Sequence, residues 1–464
     1  MSAAPGDTIF APATAPGGAI AVLRLSGPDA HAVLAALADL PTDAAGFARA
    51  QPPGRLRVRS LRDADGRSLD EAMVVAFHAP RSYTGEPMVE LHLHGSAAVV
   101  EAVGVALRGL GLRPAGPGEF TRRAYLAGKR TLLQAEAIAD LVSARSEAAR
   151  SAALAGLDGR TEAAIAALRT PLVAAVAEVE ARLDFGLEDD VDTLDRDALA
   201  VAVRERAAAM RALAATADAA RLRLHGARVV LHGPPNAGKS TLLNALCEAD
   251  RALVHDSPGT TRDVVEVPLM LAGLHVTLVD TAGVREVDAD AADALAIEAA
   301  GIARARAALD AADVVLWLRD AADPDLAAAA APPPVVPPGA TLLALWSRAD
   351  RAPERAAPAD VALAVSALEP ADVQAVRDAI AAALRARVGE TEGGLALLRA
   401  RHADALQRAA EAAERGAAAA LDALPLEYVA ADLRDAVAAL DELIGRVAPD
   451  DVLDVVFSRF CIGK

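Results

Sequence analysis

Near the middle of the chain, eight residues carry the densest chemistry in the sequence: Gly233-Pro-Pro-Asn-Ala-Gly-Lys-Ser240. Two glycines separated by four residues and followed by Lys239 and Ser240 have the spacing of a phosphate loop. The glycines let backbone N–H groups turn toward an anion, and the helix that follows adds the positive end of its dipole. Lys239 is placed for the β and γ phosphates, and the Ser240 hydroxyl for Mg²⁺. The flanks agree. Arg228 to His232 reads as a short apolar strand, and Thr241-Leu-Leu-Asn-Ala-Leu as the first turns of a helix. Asn236, Ala237, Gly238, Lys239, Ser240 and Thr241 are therefore expected to hold a nucleoside triphosphate.

Further motifs extend this site. A second apolar strand, Leu274 to Val279, ends in Asp280-Thr281-Ala282-Gly283. Asp280 is expected to hold Mg²⁺ through water, and the Gly283 N–H to meet the γ-phosphate. Between the two motifs runs His255-Asp256-Ser257-Pro258-Gly259-Thr260-Thr261, where Thr261 is the expected second Mg²⁺ ligand. The base side is less regular. Strand Thr341 to Trp346 is followed by Ser347-Arg348-Ala349-Asp350, where GTPases usually carry Asn-Lys-x-Asp. Asp350 can accept hydrogen bonds from the guanine edge, and the stem of Arg348 can stack on the base. Ser347 is shorter than Asn, so weaker guanine binding is expected. Ser366-Ala367-Leu368 closes the base side. Val284 stands where Ras-like enzymes place a water-orienting Gln. It cannot orient water, so another group must.

These motifs need elements to carry them. Strands are expected at Gly18 to Gly27, Met73 to Pro80 and Met88 to Gly95, rich in Val, Leu and Ile between Gly and Pro punctuation. From about residue 130 the texture is helical, with Leu172, Val176, Val179 and Leu183 on one stripe. A strand–helix alternation follows, and then helical stripes return through Val429, Leu433, Val437 and Leu440, and through Leu453, Val456, Phe457 and Phe460. The predicted fold is multidomain α/β. An N-terminal α/β domain spans 1–127, and a discontinuous helical domain spans 128–219 and 389–464. A P-loop GTPase domain with a mainly parallel sheet, 220–388, is inserted between the two helical segments. The prolines within 329–339 mark a surface loop of that inserted domain.

Composition narrows the setting. The 464 residues carry a net charge of −17 and two cysteines, which fits a reducing, cytoplasmic location and no disulfide framework. No charged-then-apolar leader opens the chain, and no apolar run is long enough and free of proline to span a membrane. A uniformly acidic surface repels nucleic acid, so any RNA substrate needs a local basic patch or a partner that holds it. Arginine is abundant, yet there are only three lysines (Lys129, Lys239 and Lys464) and two asparagines (Asn236 and Asn244). The surviving lysines are expected where a planar guanidinium cannot replace an ammonium.

Several segments together resemble the MnmE (TrmE) family of tRNA-modification GTPases over almost the whole chain. They are Leu23-Arg-Leu-Ser-Gly27, Ser82-Tyr-Thr-Gly-Glu86, Pro117-Gly-Glu-Phe-Thr121, Gln134-Ala-Glu-Ala-Ile-Ala-Asp140, the nucleotide motifs and the terminal Phe460-Cys-Ile-Gly-Lys464. The resemblance implies a homodimer formed through the N-terminal domain. It also implies an FAD-dependent MnmG-like partner in a heterotetramer. Together these add an aminomethyl or carboxymethylaminomethyl group to C5 of a tRNA wobble uridine. A 5-formyl-tetrahydrofolate or related one-carbon folate is implied at Arg24, Glu90, Lys129 and Lys464. K⁺ is implied as activator in place of an arginine finger, with Asn236, His255, Ser257 and Thr260 as its ligands. Glu298, ahead of Gly301-Ile302-Ala-Arg304, matches the family's water-orienting glutamate.

Two groups keep alternative readings at this stage. Cys461 is either a small packing residue or a thiol that reaches a shared active site, and its terminal Cys-Ile-Gly-Lys departs from a prenylation box at Gly463 and Lys464. His92 and His94 share a strand face, where packing is the simpler explanation than metal binding. Two other functions compete: a GTP-switched ribosome or RNA assembly factor, and a folate-dependent aminomethyl transferase regulated by a G domain.

Overall fold

The computed structural model describes residues 6–15, 17–185, 194–251, 265–281, 303–323, 333–389, 399–445, 450–458 and 460–463. The chain forms two compact units. The first takes 1–142, 156–206 and 411–464, and the second takes 143–155 and 207–410.

The first unit holds a six-stranded sheet. Its strands are β1 (Ile9–Pro12), β2 (Ile20–Ser26), β3 (Arg57–Arg62), β4 (Ser68–Phe77), β5 (Met88–His94) and β6 (Arg113–Pro114), in the order β3-β4-β5-β2-β1-β6. All neighbours are antiparallel except β1 and β6. Alternation decides what each face carries. Leu23 and Leu25 of β2, Val74 and Ala76 of β4, and Leu91 and Leu93 of β5 are buried. They pack on Val33, Leu34 and Leu37 of helix Ala30–Ala38 and on Val103 and Leu107 of helix Ala97–Gly109. Arg24, Glu90 and His92 therefore fall on the opposite face. Strands and turns were the sequence expectation for this region, but helices also form at Ala30–Ala38, Ala44–Ala50, Ala97–Gly109 and Glu119–Leu126. Alanine has the highest helix propensity yet little hydrophobic contrast, so the first three of these, which are rich in it, leave a weak periodic trace.

Helices Arg160–Phe185 and Leu426–Ile444 of the same unit run antiparallel. Arg169 meets Asp441 through Nε and Nη2 at 2.7 and 3.0 Å, and further along Arg434 meets Glu180 at 2.7 Å. The last helix, Asp450–Ser458, sets Leu453, Val456 and Phe457, with Phe460 beyond it, against Leu132, Ala135 and Tyr125. Beyond it Ile462 bridges to Pro117.

The second unit is built on β7 (Ala227–His232), β8 (Val265–Leu271), β9 (Leu274–Asp280), β10 (Val314–Asp320), β11 (Thr341–Ser347) and β12 (Leu363–Val365). Their order is β12-β11-β10-β7-β9-β8, parallel except for the β8–β9 hairpin. Ala272 and Gly273 both have positive φ in that hairpin, as a tight two-residue turn requires. Every residue of β10 is buried, as expected for a strand covered on both faces. One face packs on helices Lys239–Arg251 and Pro370–Val388, and the other carries Val230, Val279 and Val315. Strand β7 lies where the order reverses, and loops at the carboxyl end of such a switch point form a ligand crevice. Among the described residues no helix is long and apolar enough to cross a membrane.

Candidate functional site: a phosphate loop and its base-side wall

The loop between β7 and helix Lys239–Arg251 lines a cavity of about 680 Å³. Pro235 to Leu242 form one side. Ser347, Arg348, Asp350, Ser366, Ala367 and Leu368 are among the residues of the other. Close packing explains the first glycine, because a Cβ at Gly233 would lie 2.5 Å from the Leu318 carbonyl oxygen. Gly238 has φ +87° and Asn236 +65°. The left-handed region suits glycine, and asparagine better than most other side chains.

Lys239 is buried and arches back over its own loop. Its Nζ donates to the carbonyls of Gly233 at 2.9 Å and Pro234 at 2.7 Å. Burial pulls its pKa below the ordinary lysine value, and the Asp280 carboxylate opposes that shift. Burial, joined by the Lys239 charge, also holds His232 below the usual histidine range. Ser240 Oγ donates to Asp280 Oδ2 at 2.7 Å, so the hydroxyl and carboxylate assigned to Mg²⁺ are adjacent. Two hard oxygen donors at a triphosphate site fit that cation, which keeps several waters and uses few protein ligands. Thr281 Oγ1 donates to the Leu231 carbonyl at 2.8 Å and ties the end of β9 to β7.

On the base side, Ser347 is buried at the end of β11 and its hydroxyl donates to the Arg319 carbonyl at 3.2 Å. Arg348 sits at φ +56°. A single nitrogen, Nη1, donates to the Asn236 carbonyl at 3.0 Å and to Asp320 Oδ2 at 2.6 Å. The guanidinium is thus bound to the phosphate loop. Asp320 Oδ1 also accepts from the Ala322 N–H at 2.9 Å. Sequence reading passed over Asp320, although β10 ends in aspartate after an apolar run just as β9 does. Asp350 lies in the short turn Ala349–Arg351. The Ser366 N–H donates to Asp372, and its Oγ accepts from the Leu368 N–H, leaving Leu368 exposed at the cavity.

In the first unit, β2 and β5 pair Arg24 with Glu90 directly across the ladder. Arg24 Nε and Nη2 donate to Glu90 Oε1 at 3.0 and 2.8 Å, and its Cζ lies 5.5 Å from the Tyr83 ring and 5.8 Å from Phe120. His92 Nε2 stands 3.6 Å from the other Glu90 oxygen, while exposed His94 pairs with Asp70 at 2.7 Å. Lys129 Nζ donates to the Pro80 carbonyl at 2.8 Å, and its stem packs on Gly85. One loop, 80–86, therefore touches both Arg24, through Tyr83, and Lys129. Below that loop Arg123 joins Asp7, Glu86 and Glu119. Burial resists ionisation of Glu119, but hydrogen bonds from Arg113 and the Gly116 N–H prevail, and its pKa lies below the ordinary value. Cys461 is exposed, with its carbonyl facing the Gly118 N–H at 3.5 Å. His255, Asp256, Ser257, Pro258, Gly259, Thr260, Thr261, Ala282, Gly283, Glu298 and Lys464 lie outside the described residues.

Fold and site together define a P-loop GTPase. Residues 8–129 match the family description GTP-binding protein TrmE N-terminus, and 132–461 match the MnmE helical domain. A tRNA modification GTPase MnmE of Methylobacterium sp. (strain 4-46) is 45% identical over 463 residues, covering 99% of this chain and 100% of that protein. Its counterpart in Methylobacterium radiotolerans is 46% identical over 471 residues, covering 99% of each. Among solved structures, one of Era in complex with MgGDPNP and a 16S ribosomal RNA segment covers 41% of this chain and 66% of that one, at 20% identity and a TM-score of 0.24. The chain belongs to the MnmE family of tRNA modification GTPases.

Proposed function

We propose that this chain is the GTP-hydrolysing subunit of a complex that modifies C5 of the tRNA wobble uridine. The observation that carries the reading is the 680 Å³ cavity, where the loop lysine, the hydroxyl of the Ser240–Asp280 pair and the base-side residues converge. In this reading Lys239 binds the β and γ phosphates, and Ser240, Asp280 and Thr261 hold Mg²⁺. Bound there, Mg²⁺ neutralises phosphate charge. Asp350 reads guanine, flanked by Ser366, Ala367 and Leu368. Asn236 holds K⁺ together with His255, Ser257 and Thr260, and Glu298 orients the attacking water.

The first unit carries the second half of the proposal. Arg24, Glu90, Lys129 and Lys464 bind a one-carbon folate, whose carboxylate tail suits cations and whose pterin edge suits a carboxylate. Cys461 lies on the tail that reaches this region. The chain acts in the cytoplasm as a homodimer, with an FAD-dependent MnmG-like partner, and is organised as domains 1–127, 128–219 with 389–464, and 220–388. The deciding experiment is GTP turnover in K⁺ and in Na⁺ at equal ionic strength, with Asn236→Ala alongside. Faster turnover in K⁺ that disappears in Asn236→Ala is the expected result. Equal turnover in both salts would reduce Asn236 to a loop residue and remove the cation-activated mechanism.

A further inference from the structure

The chain as a whole is strongly acidic, at −17, yet residues 44–62 contain five arginines and no Asp or Glu. Arg49, Arg55, Arg57, Arg59 and Arg62 all fall in this stretch, and the fold gathers it along one edge of the first unit. Strand β3 is the outermost strand of its sheet, paired only with β4. Arg59 donates to the Ala50 carbonyl and so draws the strand against the end of helix Ala44–Ala50, whose last turn carries Arg49. Gln51, fully buried, donates to the Arg55 carbonyl at 2.8 Å and to the Val74 carbonyl at 3.2 Å. The Gly54 N–H is bound by the Ala76 carbonyl at 2.9 Å. The backbone that carries these cations is therefore pinned to the sheet.

The side chains themselves are spare. Arg49, Arg55 and Arg57 are exposed, and among the described residues none of them forms an ion pair or a side-chain hydrogen bond. Most other arginines of this unit, such as Arg24, Arg113, Arg123 and Arg169, are paired with carboxylates. Arg57 and Arg59 are roughly 7 Å apart along one face of the strand. The edge leads to a recess of about 380 Å³ lined by Pro53, Gly54, Phe77, His78, Ala79, Pro80 and Arg81. Pro80 is also the residue whose carbonyl binds Lys129.

We infer that this edge is where the chain itself holds RNA, with Arg49, Arg55 and Arg57 on consecutive phosphates. The inference rests on the tRNA-modification reading above and answers the electrostatic problem it raises. Phosphate contacts need unpaired cations on a fixed surface, and they position a nucleic acid without reading its sequence. An acidic protein or an anionic lipid surface would share the charge preference, but tRNA is the polyanion of the proposed function. The Phe77 and His78 rings and the Arg81 guanidinium in the recess suit an unstacked base.

The test uses the full-length chain and an unmodified tRNA transcript in a fluorescence anisotropy titration over a series of salt concentrations. The comparison is with Arg49→Ala/Arg55→Ala/Arg57→Ala, and with Arg204→Ala/Arg211→Ala as a control for general charge loss. The expected result is at least about a tenfold loss of tRNA affinity in the triple variant. The slope of log affinity against log salt should shrink by about 2, near 0.7 per lost contact. GTP turnover and circular dichroism should be unchanged. Equal affinity and slope in wild type and triple variant would overturn the inference while leaving the tRNA reading intact. A wild-type chain that binds no tRNA at any salt would overturn the inference and leave the RNA to a partner that holds it. A triple variant that loses only binding to phosphatidylserine vesicles, in a co-sedimentation assay run alongside, would overturn the inference alone and identify a membrane-facing edge.

Discussion

Arg348→Ala removes a side chain that bridges the phosphate loop and the base-side wall. Its Nη1 serves the Asn236 carbonyl and Asp320 Oδ2 at once, at 3.0 and 2.6 Å. Asp320 retains only 9% side-chain exposure, while Arg348 retains 27%. A charge-assisted hydrogen bond is worth about 1.5–3 kcal/mol, and the exposure of Arg348 argues for the lower half of that range. The loss should appear mainly in binding. Asn236 is held at φ +65°, and without the clamp that conformation must be ordered when nucleotide arrives. About 2 kcal/mol corresponds to roughly 30-fold weaker guanine nucleotide binding. Since one nitrogen makes both bonds, the fork of the guanidinium is not needed, and Arg348→Lys should stay within about threefold of wild type. Asp320→Asn should fall between the two. Titration with a fluorescent GDP analogue measures all three. Arg348→Ala within twofold of wild type, or Arg348→Lys as weak as Arg348→Ala, would refute the clamp.

Other substitutions probe other links. Ser240→Ala removes the partner of Asp280 and a proposed Mg²⁺ ligand, so GTP turnover should fall at least about 100-fold, roughly 3 kcal/mol of barrier, with the melting temperature little changed. Ser347→Asn removes the hydroxyl bound to the Arg319 carbonyl while Arg348 already makes the crossing, so guanine nucleotide binding should not tighten, and a several-fold gain would mean that the shorter side chain limits it. In His31 burial dominates and His78 adds to it, against a hydrogen bond with the Phe77 carbonyl, so the folded pKa lies below 6.5. The unfolded chain then binds the proton first, and stability falls as pH drops below about 6.5. His31→Gln should lose about 1–3 °C less in melting temperature than wild type between about pH 7.5 and pH 5.5. Gly463→Ala would place a Cβ 1.9 Å from the Pro12 carbonyl oxygen at φ +97°, so carboxypeptidase should trim the tail faster than in wild type.

Spacing along the chain made the phosphate loop readable, because glycine, lysine and serine act there within eight residues of each other. Arg24 and Glu90 are 66 residues apart, and only the register of β2 and β5 brings them into contact. From the residues alone the simplest reading of the two was a strand-edge salt bridge, which the structure contains, and resemblance added the folate role. The positions of the helices at 30–38, 44–50 and 97–109 were missed because alanine is frequent in all three, and in the first it fills both buried and exposed positions. Asp320 was missed because its partner, Arg348, was assigned to the base. The cationic edge was hidden differently: the net charge of −17 averaged away a stretch with no acidic residue.

The departure from Asn-Lys-x-Asp has a structural logic. An asparagine at 347 would have a side chain long enough to cross toward the loop. The serine instead spends its hydroxyl on the Arg319 carbonyl, one residue before Asp320. That bond holds β10 and β11 together at the point where Asp320 must face Arg348, and the Ala321 N–H donates to the Ser347 carbonyl at 2.9 Å in the same place. The serine thus positions the acceptor, and the arginine makes the crossing. Both ends of the clamp then depend on the register of two parallel strands, which pair Asp320 with Ser347 directly. In the proposed reading guanine selection falls to Asp350, with Ser366 to Leu368, while Arg348 keeps the loop in shape for the phosphates. Changes at Arg348 or Asp320 should therefore weaken GTP and GDP together and leave the preference between bases intact.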